Sequence, residues 1–223
     1  MTFLLRLLLL LALSCAAVSS PVSAQSSAVD MQVVERWLAT NSGIGSLKID
    51  FTQTRRMRAV KVPVSQEGTL WLDYANHRFR WQTGEPAQTI VVSLGENILI
   101  IRPSGKKYEV RKAGSSGSSP GMAALANGFP RTLPEFQQKY RVLETRSEAN
   151  TRRIVTRPLG EAGRGVESLT FVVDSGHHRL LGIEMDLEDG SSVHTIFRQV
   201  ETNVPVTLAL FQPPVDGYTE TKF

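Results

Sequence analysis

From Leu47 to Val200 the apolar residues recur with a period of two, in about eleven short runs divided by tight turns. Leu47, Ile49 and Phe51 point one way while Lys48, Asp50 and Thr52 point the other, as along a half-buried strand. The runs at 67–74, 78–82, 89–94, 98–102, 106–111, 140–146, 152–157, 168–174, 179–187 and 192–200 continue the series. Turn residues such as Gly95-Glu96-Asn97, Asp174-Ser175-Gly176 and Glu188-Asp189-Gly190 separate neighbours. Strands this short and evenly spaced pair with their chain neighbours, so the sequence predicts a mostly-β antiparallel meander. A sheet of that width that curls leaves an interior too large for its own side chains.

Two runs break the alternation. Residues 89–94 and 98–102 are apolar at nearly every position, so one face points to an interior and the other is covered. Ahead of the strands, Val33, Val34, Trp37 and Leu38 recur at helical spacing and predict a helix over 26–41, with Asp30 as N-cap and Asn41-Ser42-Gly43 as its stop. Between the sixth and seventh runs, Gly114 to Gly121 is rich in Gly and Ser. Met122, Ala123, Leu125 and Ala126 then suggest a short helix, and Pro134 opens another through Lys139. This insertion is too apolar for an idle loop and is expected to pack over one mouth of the sheet.

Residues 1–24 read as a cleaved secretory signal: Arg6, an apolar stretch from Leu7 to Val18, and Val22-Ser23-Ala24 before the cut. The stretch is too short to span roughly 30 Å of hydrocarbon. An exported, soluble chain of about 200 residues is therefore expected, enough for one sizeable domain or two small ones. Cys15 is the only cysteine. Ser14-Cys15 resembles a lipidation site, but Ala12 and Leu13 do not fit its usual pattern, and processing after Ala24 leaves no thiol. A formal net charge of +4 is too mild for nucleic acid. Arg55-Arg56-Met57-Arg58 and Arg152-Arg153 read as solvated strand ends, with contact to anionic headgroups as the sharper alternative.

Catalytic signals are weak. Gly117-Ser118-Ser119-Pro120-Gly121 matches a nucleophile-elbow pattern, with Asp174 and His177 or His178 downstream. The residue after the nucleophile should donate its N–H to an oxyanion, and Pro120 has none. His77, His177, His178 and His194 fall at no metal-ligand spacing. No catalytic residue, metal or cofactor is expected. The apolar set remains as the candidate ligand-binding lining: Trp37, Leu38, Trp71, Phe79, Trp81, Ile98, Ile100, Met122, Leu125 and Phe129. Taken singly, each of these reads more simply as ordinary core.

Several of these residues sit in motifs similar to those of the periplasmic outer-membrane lipoprotein carrier proteins, the LolA-like family. The resemblance runs in order through the first helix, Phe51-Thr52-Gln53-Thr54, Gly68-x-Leu70-Trp71, Phe79-Arg80-Trp81, the hairpin from Val91 to Glu96, and Phe211-Gln212-Pro213-Pro214-x-x-Gly217. It implies a half-open antiparallel β-barrel of about ten or eleven strands, with short helices as a lid over an apolar cavity. It also implies a single periplasmic domain over 25–223 that works as a non-enzymatic, monomeric carrier. Such a carrier takes lipoprotein acyl chains, or related lipids, from an inner-membrane exporter to an outer-membrane acceptor. One departure stands out: family shuttles carry an Arg-Pro pair after the Leu-Trp strand, where this chain has Tyr74-Ala75. Two alternatives stay open, a sensor or interaction domain of the same fold and a lipid hydrolase using Ser119.

Overall fold

The structure is a computed structural model that describes residues 29–112 and 129–221. The leader, Cys15, Ser119, the Gly114–Gly121 loop, Met122 and Leu125 lie outside the described residues.

Helix α1 (Met31–Asn41) precedes six strands: β1 (Ser46–Arg56), β2 (Val64–Asp73), β3 (Arg78–Thr83), β4 (Thr89–Leu94), β5 (Asn97–Arg102) and β6 (Lys107–Lys112). Helix α2 (Leu133–Lys139) leads into β7 (Tyr140–Glu148), β8 (Thr151–Pro158), β9 (Val166–Asp174), β10 (Leu180–Leu187) and β11 (Ser192–Thr202), and β12 (Thr219–Glu220) ends the described chain. Among the described residues, the twelve strands form one open sheet in the order β12-β6-β5-β4-β3-β2-β1-β11-β10-β9-β8-β7. Two meanders thus meet where β11 pairs with β1, and β6 and β7 lie near opposite edges. Helix α2 falls between β6 and β7 in the chain. The eleven runs legible in the sequence are β1–β11. The twelfth strand is two residues added parallel to β6, too short to show any period.

The helix caps explain the helix bounds. Asp30 accepts a hydrogen bond from the Gln32 N–H, so α1 begins at Met31 rather than at Ser26 as the periodicity suggests. Thr132 caps α2 through the Glu135 N–H, and Pro134 stands in its first turn, where its missing N–H costs nothing. Both helices lie on the same face of the sheet. Val34, Trp37 and Leu38 from α1 and Phe136 from α2 join one core with Leu47, Ile49 and Phe51 of β1 and with Leu169, Phe171 and Val173 of β9. The Trp37 ring lies 4.8 Å from Phe171 and meets Phe136 edge-on at 6.0 Å. Tyr140 extends the cluster, 5.3 Å from Phe136 and 5.2 Å from Phe171. Such pairs add about 0.5–1.5 kcal/mol each beyond their burial.

The doubly apolar strands are covered on both faces. Val91, Ile98 and Ile100 point into the helix-covered core. Ile90, Val92, Leu99 and Ile101 form a second cluster on the outer face, closed by Tyr108, Val215 and Tyr218. The C-terminal segment is the cover: Arg80 donates to the Leu210 carbonyl at 3.0 Å, Phe211 is buried, and β12 clamps onto β6.

Gly68 has a packing reason. A β-carbon there would come 2.4 Å from Phe51 Cζ and 2.3 Å from the Gln82 carbonyl oxygen. The Phe51 ring passes over the bare glycine and stacks on Trp81 at 4.0 Å. Gly68→Ala is expected to lower stability by about 2–3 kcal/mol through forced displacement of that ring. Urea unfolding checks this, and an unchanged midpoint would mean the stack is dispensable.

Candidate functional site

The aromatic and aliphatic set selected from the sequence divides between the two faces. Trp37, Leu38, Phe79, Trp81 and Ile98 are buried in the inner-face core, with Ile100 packed at its margin. Among the described residues they pack against one another as core. Phe129 is buried and also reaches a cavity. Trp71 stands on the opposite face. It pairs with Lys48 and Arg80, and the Arg80 guanidinium lies 5.8 Å from its ring. Trp71 therefore does not join the helix-covered face with Phe79 and Trp81. Arg80 is pushed below its ordinary pKa by burial, on the side covered by the C-terminal segment.

Among the described residues, a cavity of about 300 Å³ opens on the inner face. Its floor is Leu47 and Ile49 of β1 with Phe197 and Val200 of β11. Ile44, Phe129 and Leu180 form its walls, and Thr40, Asn41, Thr202 and Arg179 complete its lining. Val200 pairs with Ile49 and so faces inward, yet it is 44% exposed because no helix among the described residues lies over it. An apolar side chain left open on the inner face is what a hydrocarbon guest would contact.

A β-bulge builds this floor. In β1, Ile49 and Phe51 share a face, and their partners on β11 are Val200 and Phe197. Those partners are three residues apart, which ordinary pleating would place on opposite faces. The register shift at Asp50/Phe51 turns both inward. Period-two reading misses the pair for this reason. It also misses Leu180, next to another register shift, at Leu180/Gly182.

A guanidinium closes the neighbouring rim. Arg131, just before α2, donates to the Ser42 carbonyl at the exit of α1. Its guanidinium lies 5.1 Å from the Tyr74 ring, past the end of β2, and its backbone N–H donates to Glu135 at 3.0 Å. One side chain thus ties α1 and the α2 entry to the sheet. Burial pushes the Tyr74 hydroxyl well above its usual range, while Arg131 and the Phe129 backbone oppose the shift. Tyr74 occupies the position where the family resemblance expects an arginine. Here the cation arrives from the helix side instead.

Two other features carry less chemistry. A larger outer-face groove of about 650 Å³ is bordered by Asp50, Glu67, Thr69, Gln82, Glu85 and Arg198. Its carboxylates make it a poor host for a hydrocarbon despite its size. Asp174 accepts bonds from the Gly176 and His177 N–H groups and from the His177 ring within one exposed turn, as turn residues do.

Comparison with known proteins agrees with this architecture. The family described as outer membrane lipoprotein carrier protein LolA matches residues 42–214. An outer-membrane lipoprotein carrier protein of Alkalilimnicola ehrlichii is 28% identical over 210 residues, covering 92% of this chain and 89% of its own. Among solved structures, an uncharacterized conserved protein of Thermus thermophilus covers 86% of this chain and 97% of its own, with a TM-score of 0.52 at 8% identity. A LolA superfamily protein of Nitrosomonas europaea covers 82% and 97%, with a TM-score of 0.48 at 10% identity. The match over residues 42–214 takes in α1's exit, the sheet from β1 to β11 and the Phe211-Gln212-Pro213-Pro214 ending, and by it the chain belongs to the LolA family of outer membrane lipoprotein carrier proteins.

Proposed function

We propose that this protein is a periplasmic carrier that binds acyl chains of lipoproteins, or of related lipids, on the helix-covered face of its sheet and shuttles them toward the outer membrane. On this reading residues 1–24 direct export, residues 25–223 work as a monomeric non-enzymatic domain, and an inner-membrane exporter and an outer-membrane acceptor are its partners. The observation that carries the reading is the cavity with an apolar floor left between β1, β11 and the exit of α1, which shares Leu47, Ile49, Phe129 and Leu180 with the helix-covered core.

The size of that cavity shapes the mechanism. It lies at the lower end of the roughly 300–1,000 Å³ range of small-molecule sites, so a full acyl chain needs room that α1 and α2 now occupy. Burying an acyl chain contributes about 0.8 kcal/mol per CH₂, or on the order of 12 kcal/mol for ~15 carbons. Helices that refill the space compete with the chain and reduce its net affinity, which permits release. The Trp37 indole N–H is buried with no acceptor among the described residues. The covered form thus carries a penalty that opening to water removes.

Native mass spectrometry of protein taken from the exported fraction tests the carrier reading. Bound species with the mass of acylated molecules are expected. Protein that emerges empty and takes up no acyl chain when supplied with one would contradict it, as a same-fold interaction domain predicts. The rim adds a second test. Arg131→Ala is expected to raise affinity for an uncharged hydrophobic fluorophore by about three- to tenfold, since it removes a tie worth ~1 kcal/mol that favours the covered form. Unchanged affinity would show that Arg131 is not a latch.

A further inference from the structure

The cavity has a chemical asymmetry that a carrier of bare hydrocarbon would not need. Its floor and walls are aliphatic and aromatic. Among the described residues no carboxylate lines it, and Arg179 is its sole charged lining residue. Arg179 directly precedes Leu180, which forms part of the wall, so one short segment supplies both apolar surface and a cation. Among the described residues Arg179 forms no ion pair. The acid closest to it in the β9–β10 turn, Asp174, is already engaged by Gly176 and His177. A guanidinium beside an open hydrocarbon surface suits a carboxylate or phosphate oxygen.

The exit of α1 argues the other way, because the end of a helix carries partial negative charge. Arg131 donates to the Ser42 carbonyl at that end and offsets the repulsion. Asn41 and Thr202, also in the lining, offer neutral donors to the same guest.

We propose that the cargo is an anionic amphiphile whose carboxylate or phosphate head is held by Arg179 at the edge of the cavity while its chain runs over Val200 and Phe197. This rests on the carrier reading and narrows it to its related-lipid branch, because lipoprotein acyl chains are neutral esters and amides while an acid-headed lipid carries a charge for Arg179.

Displacement of an uncharged hydrophobic fluorophore tests it, with tetradecanoate, its methyl ester and dodecyl phosphate as competitors. Tetradecanoate is expected to compete about tenfold better than the ester, the effect of one partly exposed charge-assisted hydrogen bond. Arg179→Ala should erase that advantage, weakening tetradecanoate about tenfold more than the ester, and Arg179→Lys should restore part of it. Dodecyl phosphate should follow tetradecanoate if the site takes either head group, and a response to only one of the two would assign the head as that group. Equal competition by acid and ester in the parent protein, or an equal loss for both in Arg179→Ala, would overturn the proposal and leave the carrier reading standing. Failure of every competitor would instead count against the carrier reading and the inference with it.

Discussion

Trp37→Ala is expected to destabilise the empty protein by about 3–5 kcal/mol, the range for deleting a large buried aromatic, while tightening acyl-chain binding by at least about tenfold. Opposite signs follow from the position of the side chain. Trp37 is fully buried and packs on Phe171 and Phe136, so it stabilises the form in which α1 covers the sheet. If the chain binds where α1 now lies, those contacts are absent from the loaded form, and their loss penalises only the covered one. Urea titrations with and without ligand would read both quantities, because a ligand that binds only the folded chain raises its apparent stability. A loss of that size is comparable with the whole stability of many domains, so Trp37→Leu should be measured beside it, with the same signs and a smaller cost. Acyl affinity that falls with stability would mean that Trp37 holds the cargo rather than competing with it.

Val200→Asp is the second large effect. The side chain is already 44% exposed, so the stability cost should be about 1 kcal/mol, set by strand preference more than by burial. Binding of an uncharged acyl ligand should fall by about a hundredfold, because the chain would have to strip water from a carboxylate on the cavity floor. Ile196→Asp is the control. Ile196 lies on the same strand, pairs with Thr52 on the outer face and is 52% exposed. It should leave binding unchanged. Equal loss in both variants would place the binding surface elsewhere.

Most strands were legible because their runs alternate and end at turns. The double cover of β4 and β5 was legible too, since residues such as Ile90 and Val91 are both apolar and both had to be buried. Trp71 was ambiguous for a related reason. Leu70, Trp71 and Leu72 are consecutive, so alternation alone cannot say which of them face inward. Pairing decides: Leu70 and Leu72 oppose Ile49 and Leu47, which sends Trp71 outward to Lys48 and Arg80. The cavity floor was hidden by the bulge in the β1–β11 ladder, because one extra residue reverses the parity that a period of two relies on. Arg131 and Arg179 gave no local signal. Each matters through distant neighbours, Ser42 and Tyr74 for the first and the β11 surface for the second. The final Phe211-Gln212-Pro213-Pro214 motif was visible as a motif, while its task, carrying the chain across the outer face so that Val215 and Tyr218 reach their cluster, required coordinates.

If an acyl chain occupies the inner face between β1, β11 and the helices, a photoreactive chain should mark that face. The probe is a fatty acid with a diazirine near its methyl end, cross-linked by light and followed by peptide mapping. Adducts are expected in the peptides that hold Leu47–Ile49 and Phe197–Val200 and in α1, with labelling suppressed by excess unlabelled chain. Suppressible labelling confined to the outer groove around Glu67 and Gln82, or no suppressible labelling at all, would contradict an inner-face carrier.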